Sequence, residues 1–125
     1  MIGPMARSGD TCEPPGSATR LIDAYLHATN EGDRDALRRI VTAQFELVRG
    51  KHAVRGLDNV LALERPEHVR THLSLLEVMR DGESFVATIE ENVSWLDSDE
   101  PPDTRPVRAR FFFTGRLIGR VELLG

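Results

Sequence analysis

The chain has 125 residues, of which 40% are hydrophobic and 29% are charged, and its net charge is −4. That length accommodates one domain with a single core. Because the chain is acidic and its basic residues form no tract, we expect no nucleic-acid partner.

The cysteine content and the length of the apolar runs bear on the cellular compartment of the protein. Cys12 is the single cysteine and cannot form an intramolecular disulfide, so nothing indicates an oxidising environment. No apolar run approaches the roughly 20 residues that a membrane span requires, and the first residues lack the apolar core of a signal peptide. We therefore expect a cytoplasmic protein with no membrane partner.

The N-terminal third predicts a leader and two helices. Residues 1–17 are rich in Gly, Pro and Ser, which predicts a flexible leader before a domain over residues 18–125. Apolar residues at helical spacing predict a first helix that begins with Ser17 as N-cap and ends at Gly32. Asp33 is typical of a second N-cap, before "RDALRRIVTA".

The remaining elements are short strands, a brief helix and two hairpins. "QFELVRGKHAVRG" predicts two strands joined by a Gly-Lys turn, and "LDNVLALER" predicts a helix that ends before Pro66. Residues 69–96 and 105–124 predict two long β-hairpins. The acidic segment between them, residues 97–104, predicts an exposed loop.

The loop lengths of the hairpins decide which residues share a face of the sheet. Three-residue loops at 80–82 and 113–115 keep arginine and histidine off the apolar face, whereas two-residue loops would mix them into it. With three-residue loops, the face toward the helices carries Leu73, Leu75, Met79, Phe85, Ala87, Ile89, Val93, Trp95, Val107, Ala109, Phe111, Leu117, Val121 and Leu123.

The opposite face holds a second apolar set, in which Leu76, Val86, Phe112 and Ile118 are prominent. An antiparallel sheet covered by helices on one face does not need these residues for its own core. We interpret them as a homodimer interface. The alternative is a scatter of single exposed hydrophobic residues, which is common on protein surfaces.

Three segments of the sequence resemble the nuclear transport factor 2-like (NTF2-like) superfamily, which includes SnoaL-like polyketide cyclases, ketosteroid isomerases and limonene epoxide hydrolases. They are "AYLHATNEGDRDALRRIV", the "RG" before "LDNVL", and "FFFTGRLIGRVELL". The resemblance covers roughly residues 18–125. It implies an α+β, cystatin-like cone in which three N-terminal helices pack on a curved antiparallel sheet.

The resemblance also bears on mechanism. Tyr25 falls where the ketosteroid isomerase branch has a tyrosine that binds the developing oxyanion. Arg49 and Ala109 fall where that branch has its two catalytic aspartates, so its steroid isomerisation is not expected here. The Asp-Arg-Asp set of the epoxide hydrolase branch has no counterpart on the apolar face.

The residues themselves suggest a site on the apolar face. Glu91 and Glu77 fall on that face, and Glu91 is expected opposite Thr71; a carboxylate in apolar surroundings is a candidate general acid or base. Ion pairing or an outward turn of Glu91 is the alternative. We take Glu91 and Tyr25 as candidate catalytic residues. Candidate ligand-binding residues are Phe45, Leu75, Ile89, Val93, Trp95 and Phe111.

Arginine and histidine are the remaining residue types that could bind a ligand or a metal. Arg49 either binds an anionic ligand or lies on the surface. The four histidines show no metal-ligand spacing, and no phosphate-binding loop is present, so we expect neither a metal nor a cofactor.

Two functions follow from these patterns. The first is a domain that binds a small hydrophobic molecule, with isomerase, cyclase or hydratase-type proton transfer as its activity. The alternative is a non-catalytic dimerisation or protein-binding module.

Overall fold

The computed structural model describes residues 16–63 and 69–124, and within these ranges it forms three helices on one six-stranded sheet. The elements in chain order are α1 (Gly16–Glu31), α2 (Arg34–Ile40), β1 (Val41–Arg49), β2 (His52–Arg55), α3 (Leu57–Leu61), β3 (Val69–Asp81), β4 (Ser84–Trp95), β5 (Asp103–Thr114) and β6 (Leu117–Leu123).

The first two helices predicted from the sequence are present as α1 and α2. Helix α1 buries Ile22 and Leu26 on its apolar stripe and is followed by Gly32, whose φ of 64° favours glycine. Asp33 caps α2, because its Oδ1 accepts a hydrogen bond from the backbone N–H of Ala36 at 3.1 Å. Within the described ranges, none of the helices is long and apolar enough to cross a membrane.

The edges of the helical segments differ from the predictions. Most of the predicted leader lies outside the described residues, and its last two residues already belong to α1. Helix α2 was predicted to continue past Val41, but Val41 begins β1 and pairs with Ile118 of β6. A β-branched residue such as Val41 is compatible with the end of a helix and with a strand, and its pairing with β6 favours the strand. The predicted end of the third helix, at residues 64–66, lies outside the described residues.

The sheet is curved and mixed, with the order β2-β1-β6-β5-β4-β3. Neighbouring strands are antiparallel except β1 and β6, which run parallel, so the antiparallel sheet implied by the resemblance is confirmed for all the described strand pairs but this one. Only α1 and α2 precede the first described strand, since α3 follows β2. The three-helix N-terminal arrangement is therefore confirmed in part.

The first hairpin has a shorter loop than predicted. Asp81 pairs with Ser84, which leaves only Gly82 and Glu83 in the loop, and the extra residue is a bulge at Leu76. A bulge restores the alternation that the shorter loop would have shifted, so the rest of the apolar face stays as expected.

The exception in the first hairpin lies between the bulge and the loop. There Val78 packs against the core, while Met79, predicted to face the helices, is 57% exposed.

The second hairpin repeats this arrangement. Thr114 pairs with Leu117 across a two-residue loop, and the register shifts at Gly119. Ile118 therefore lies opposite Phe113 and is fully buried in the core, so its predicted place in an outer interface is wrong. Leu117, predicted inside, is half-buried and lies outside the core cluster.

The core lies between α1 and one face of the sheet, which we call the inner face. It contains two rows of apolar side chains, one from the helices and one from the strands. Its buried members are Ala18, Ile22, Tyr25, Leu26, Ala28, Leu37, Ile40, Val41, Phe45, Leu57, Phe85, Ala87, Ile89, Ala109, Phe111, Ile118 and Val121.

Candidate functional site

A cavity of about 580 Å³ opens between the second half of α1 and the inner face. Most of its wall is apolar, which suits a small organic molecule. The lining residues are Tyr25, Leu26, Thr29, Leu47, Arg49, Gly50, Leu73, Ile89, Glu91, Arg105, Val107, Arg108, Ala109, Phe111, Val121, Leu123 and Leu124.

Tyr25 lies on the core side of this cavity. Its ring meets that of Phe111 edge to face, with centroids 5.7 Å apart, and lies 6.0 Å from the ring of Phe45. The Thr29 hydroxyl donates a hydrogen bond to the Tyr25 backbone carbonyl at 2.7 Å. Tyr25 is thus held by packing on an aromatic layer while part of it borders the cavity.

Glu91 lies on the inner face of β4 and lines the cavity. It is opposite Leu73, two residues from the expected partner Thr71, because the loop is shorter and a bulge follows it. Its side chain is 19% exposed, and its Oε1 accepts a hydrogen bond from Nε of Arg105 at 2.8 Å. The ion pair left open by the sequence is therefore present, and Glu91 still faces the cavity.

Arg105 is a member of this site that the sequence reasoning missed. It begins the inner-facing series of β5 that continues through Val107 and Ala109 to Phe111, and it lies directly across from Glu91. Alternation along β5 was a usable signal, since Arg105 lies two residues before Val107 in the predicted hairpin.

Arg49, at the end of β1, is exposed, as the surface alternative expected, and it also lines the cavity. It is in register with Leu123 of β6, which is in register with Ala109 of β5. Glu91 lies four residues further along β4 than the partner of Ala109, a step of about 13 Å in extended chain. The two charged groups therefore lie at different depths of the same cavity.

Asn30 fixes α1 over the site. Its side-chain Nδ2 donates to the Leu73 carbonyl, and its Oδ1 accepts from the Leu73 N–H, both at 2.8 Å. Leu73 is opposite Glu91, so this bridge sets the height of the helix end above the carboxylate.

No protein-family model matches the sequence, and no curated protein matches it. Solved structures do match. An NTF2-like protein of unknown function from Burkholderia pseudomallei aligns with a TM-score of 0.72 and 15% identity over 87% of this chain and 90% of that chain. A putative polyketide cyclase from Pseudomonas putida aligns with a TM-score of 0.69 and 23% identity, covering 86% and 90%.

A third match is an LEH-like epoxide hydrolase from M. tuberculosis, with a TM-score of 0.67 and 16% identity over 86% of this chain and 80% of that chain. The chain has the NTF2-like fold. At identities of 15–23%, these structural alignments establish the fold alone.

Within this NTF2-like fold, the three positions singled out by the resemblance meet in one cavity. Tyr25, Arg49 and Ala109 all line it. The two positions where the isomerase branch has aspartates thus face the cavity, but they carry a cation and a methyl group. A carboxylate enters the cavity from another strand, at Glu91.

The other predicted residues divide into three groups. Ile89 and Phe111 line the cavity, as Glu91 and Tyr25 do. Phe45 is fully buried in the core behind Tyr25, and Leu75 packs against that core, so neither contributes to the cavity wall.

Val93 and Trp95 lie beyond the cavity, where they are half-buried opposite Thr71 and Val69. Helix α1 ends near Leu73 and does not extend over this part of β4. Glu77, the other predicted carboxylate, is exposed next to the bulge and is not part of the wall. Among residues 16–63 and 69–124, no three His, Cys, Asp or Glu side chains come together to hold a metal ion.

Proposed function

We propose that the protein binds a small, largely apolar molecule in the cavity beneath α1 and transfers a proton on it, in a reaction of the isomerase, cyclase or hydratase type. The observation that carries this proposal is that Glu91 and Tyr25, from different elements, border one predominantly apolar cavity. Polar groups that converge in an apolar pocket are the usual arrangement of small-molecule sites.

Glu91 is the proton-transferring residue of the proposal. Arg105 binds Oε1 and fixes the carboxylate, whereas Oε2 has no hydrogen-bond partner in the part of the chain described. That oxygen can accept a proton from a ligand carbon and return it to another. The Tyr25 hydroxyl serves as a donor to the ligand oxygen on which negative charge develops.

The structural likeness to a putative polyketide cyclase and to an LEH-like epoxide hydrolase supports this proposal, because polyketides and epoxides are small organic molecules. The cavity of about 580 Å³ is also of a size that small ligands occupy.

Deuterium exchange tests the proton transfer. A bicyclic apolar ketone such as 2-tetralone is incubated with the protein in D2O, and deuterium uptake is followed by mass spectrometry. Glu91→Gln should reduce the protein-catalysed rate by at least about 100-fold. Glu90→Gln is the matched control, since Glu90 is the next residue on β4 and is not part of the cavity wall.

Equal exchange by wild type and Glu91→Gln would refute the assignment of Glu91. An absence of exchange above buffer in wild type would count against proton transfer on ketones. Native mass spectrometry of gently purified protein then reports separately whether the cavity carries a small ligand.

A second proposal is a non-catalytic role as a dimerisation or protein-binding module through the outer face of the sheet. Leu76 and Met79, which precede the two-residue loop of the first hairpin, are each 57% exposed, and the half-buried Phe112 lies on the same face. Val86, also predicted for this interface, is only 8% exposed. Exposed apolar residues that adjoin one another are typical of interfaces.

Light scattering tests this second proposal. Wild type is expected to be a homodimer and Phe112→Glu a monomer. Leu96→Glu, at an equally exposed leucine beyond β4, should leave the dimer intact. A monomeric wild type, or a dimeric Phe112→Glu variant, would rule out this interface.

A further inference from the structure

We infer that the ligand of the cavity is an apolar molecule with a carboxylate group, and that Arg49 binds this carboxylate. The inference rests on the proposed function, because it concerns the same cavity. It adds the chemical class of the ligand and a specificity-determining residue.

The register of β1 places Arg49, which is an exposed residue, on the inner face beside the cavity. Phe45 and Leu47 precede it at alternate positions, and both belong to or pack against the core. Arg49 therefore ends an otherwise apolar inner-facing row, next to Leu123 of β6. A cation at such a position lies against apolar surface that a ligand can share.

Within residues 16–63 and 69–124, no acidic side chain balances the charge of Arg49. Arg49 has no ion-pair or hydrogen-bond partner in the described part of the chain. Of the described residues that line the cavity, Glu91 alone carries a carboxylate, and it is bound by Arg105. The nearby Glu46 is engaged by Arg55 and Arg120 at 3.5 and 3.6 Å.

The sign of the local charge is opposite to that of the chain. The net charge is −4, whereas the charged cavity residues are three arginines and one glutamate. Alternation places Arg108 on the outer face of β5, so the inner face retains one uncompensated positive charge at Arg49. A positive site in an acidic protein concentrates anions at that site.

The single charge favours a carboxylate over a phosphate. A guanidinium group binds a carboxylate through two parallel N–H···O hydrogen bonds, and the two unit charges cancel. A phosphate dianion would keep one charge without a partner beside an apolar wall. The apolar body of the ligand would then lie along the wall toward Ile89 and Phe111.

Paired probes that differ only in charge test the inference. Benzoate, 2-naphthoate and anthracene-2-carboxylate are titrated against their uncharged primary amides by calorimetry. Wild type should bind the best acid about tenfold more tightly than its amide, as a charge-assisted pair at an open site allows. Raising the salt concentration should weaken acid binding and leave amide binding unchanged.

Arg49→Met should remove the preference for the acid and keep the affinity for the amide. Arg116→Met is the matched control, since Arg116 lies in the far hairpin loop and is not part of the cavity wall. It should behave as wild type does.

The outcomes distinguish the carboxylate inference from the proposed binding of ligands in the cavity. Equal affinity of wild type for acid and amide, or a preference that survives in Arg49→Met, would overturn the inference and leave cavity binding intact. Failure of every acid and every amide to bind would overturn the proposed function together with the inference.

Discussion

The two ends of the sheet use the same strands differently. At the turn end, near the loops 82–83 and 115–116, the rings of Phe85 and Phe113 meet edge to face at 5.5 Å, and Ile118 is fully buried. At the cavity end, the inner faces of β4 and β5 carry Glu91 and Arg105. A single strand such as β4 thus passes from a packed core to a polar site within eight residues.

This difference separates stability from binding. Close packing at the turn end buries Ile118 completely, and each lost methylene there leaves a hole. The cavity end already contains open space and an ion pair whose arginine is 65% exposed, which adds little to stability. Substitutions at the turn end should therefore affect unfolding, and substitutions at the cavity end should affect ligands.

The largest effect is expected from matched isoleucine truncations. Ile118→Ala should lower the free energy of unfolding by about 4 kcal/mol, because it opens a new hole in the packed turn end. Ile89→Ala should cost about 2 kcal/mol, since Ile89 already borders the cavity. Urea denaturation measures both values. Equal losses would contradict the comparison.

A smaller effect is expected at the link between helix and sheet. Asn30→Ala removes both hydrogen bonds to Leu73 and should cost about 1–3 kcal/mol in urea denaturation. Asn92→Ala removes an exposed hydrogen bond donated to Thr104 at 3.0 Å and a long one accepted from the Ser94 hydroxyl at 3.4 Å, and it should cost about 0.5 kcal/mol or less. If the two variants were equally stable, Asn30 would not be a structural link.

The smallest effect is expected at the cavity carboxylate. Glu91→Gln should change the free energy of unfolding by about 1 kcal/mol or less, because its partner Arg105 is 65% exposed. The melting temperature should therefore shift by only a few degrees. A loss comparable to that of Ile118→Ala would mean that the cavity end is part of the stabilising core.

Signals from adjacent residues predicted the helices and strands, but they did not predict the register of the paired strands near the hairpin loops. The cap at Asp33 and the end of α1 at Gly32 depend on adjacent residues, and both were readable from the sequence. The bulges at Leu76 and Gly119 were not, because a shorter loop with a bulge gives almost the same apolar face as a longer loop without one. That ambiguity misplaced Ile118.

The sequence predicted the residues of the site that depend on strand alternation, but it did not predict the limits of the cavity, which depend on where α1 ends. The inner-facing positions of Ile89, Glu91 and Phe111 follow from strand periodicity. The limits of the cavity follow from where α1 ends over β3, which excluded Val93 and Trp95. No local pattern in the sequence records that end point.

The parallel pairing of β1 with β6 has a consequence for how the chain folds. Strands β3 to β6 form successive hairpin neighbours, and β1 pairs with β2 across a short turn, so each group can form from local contacts. Val41 and Ile118 must then meet across most of the chain. Because closing so long a loop is entropically costly and slow, we expect this joining to limit the folding rate, and during translation it must await the emergence of β6 from the ribosome.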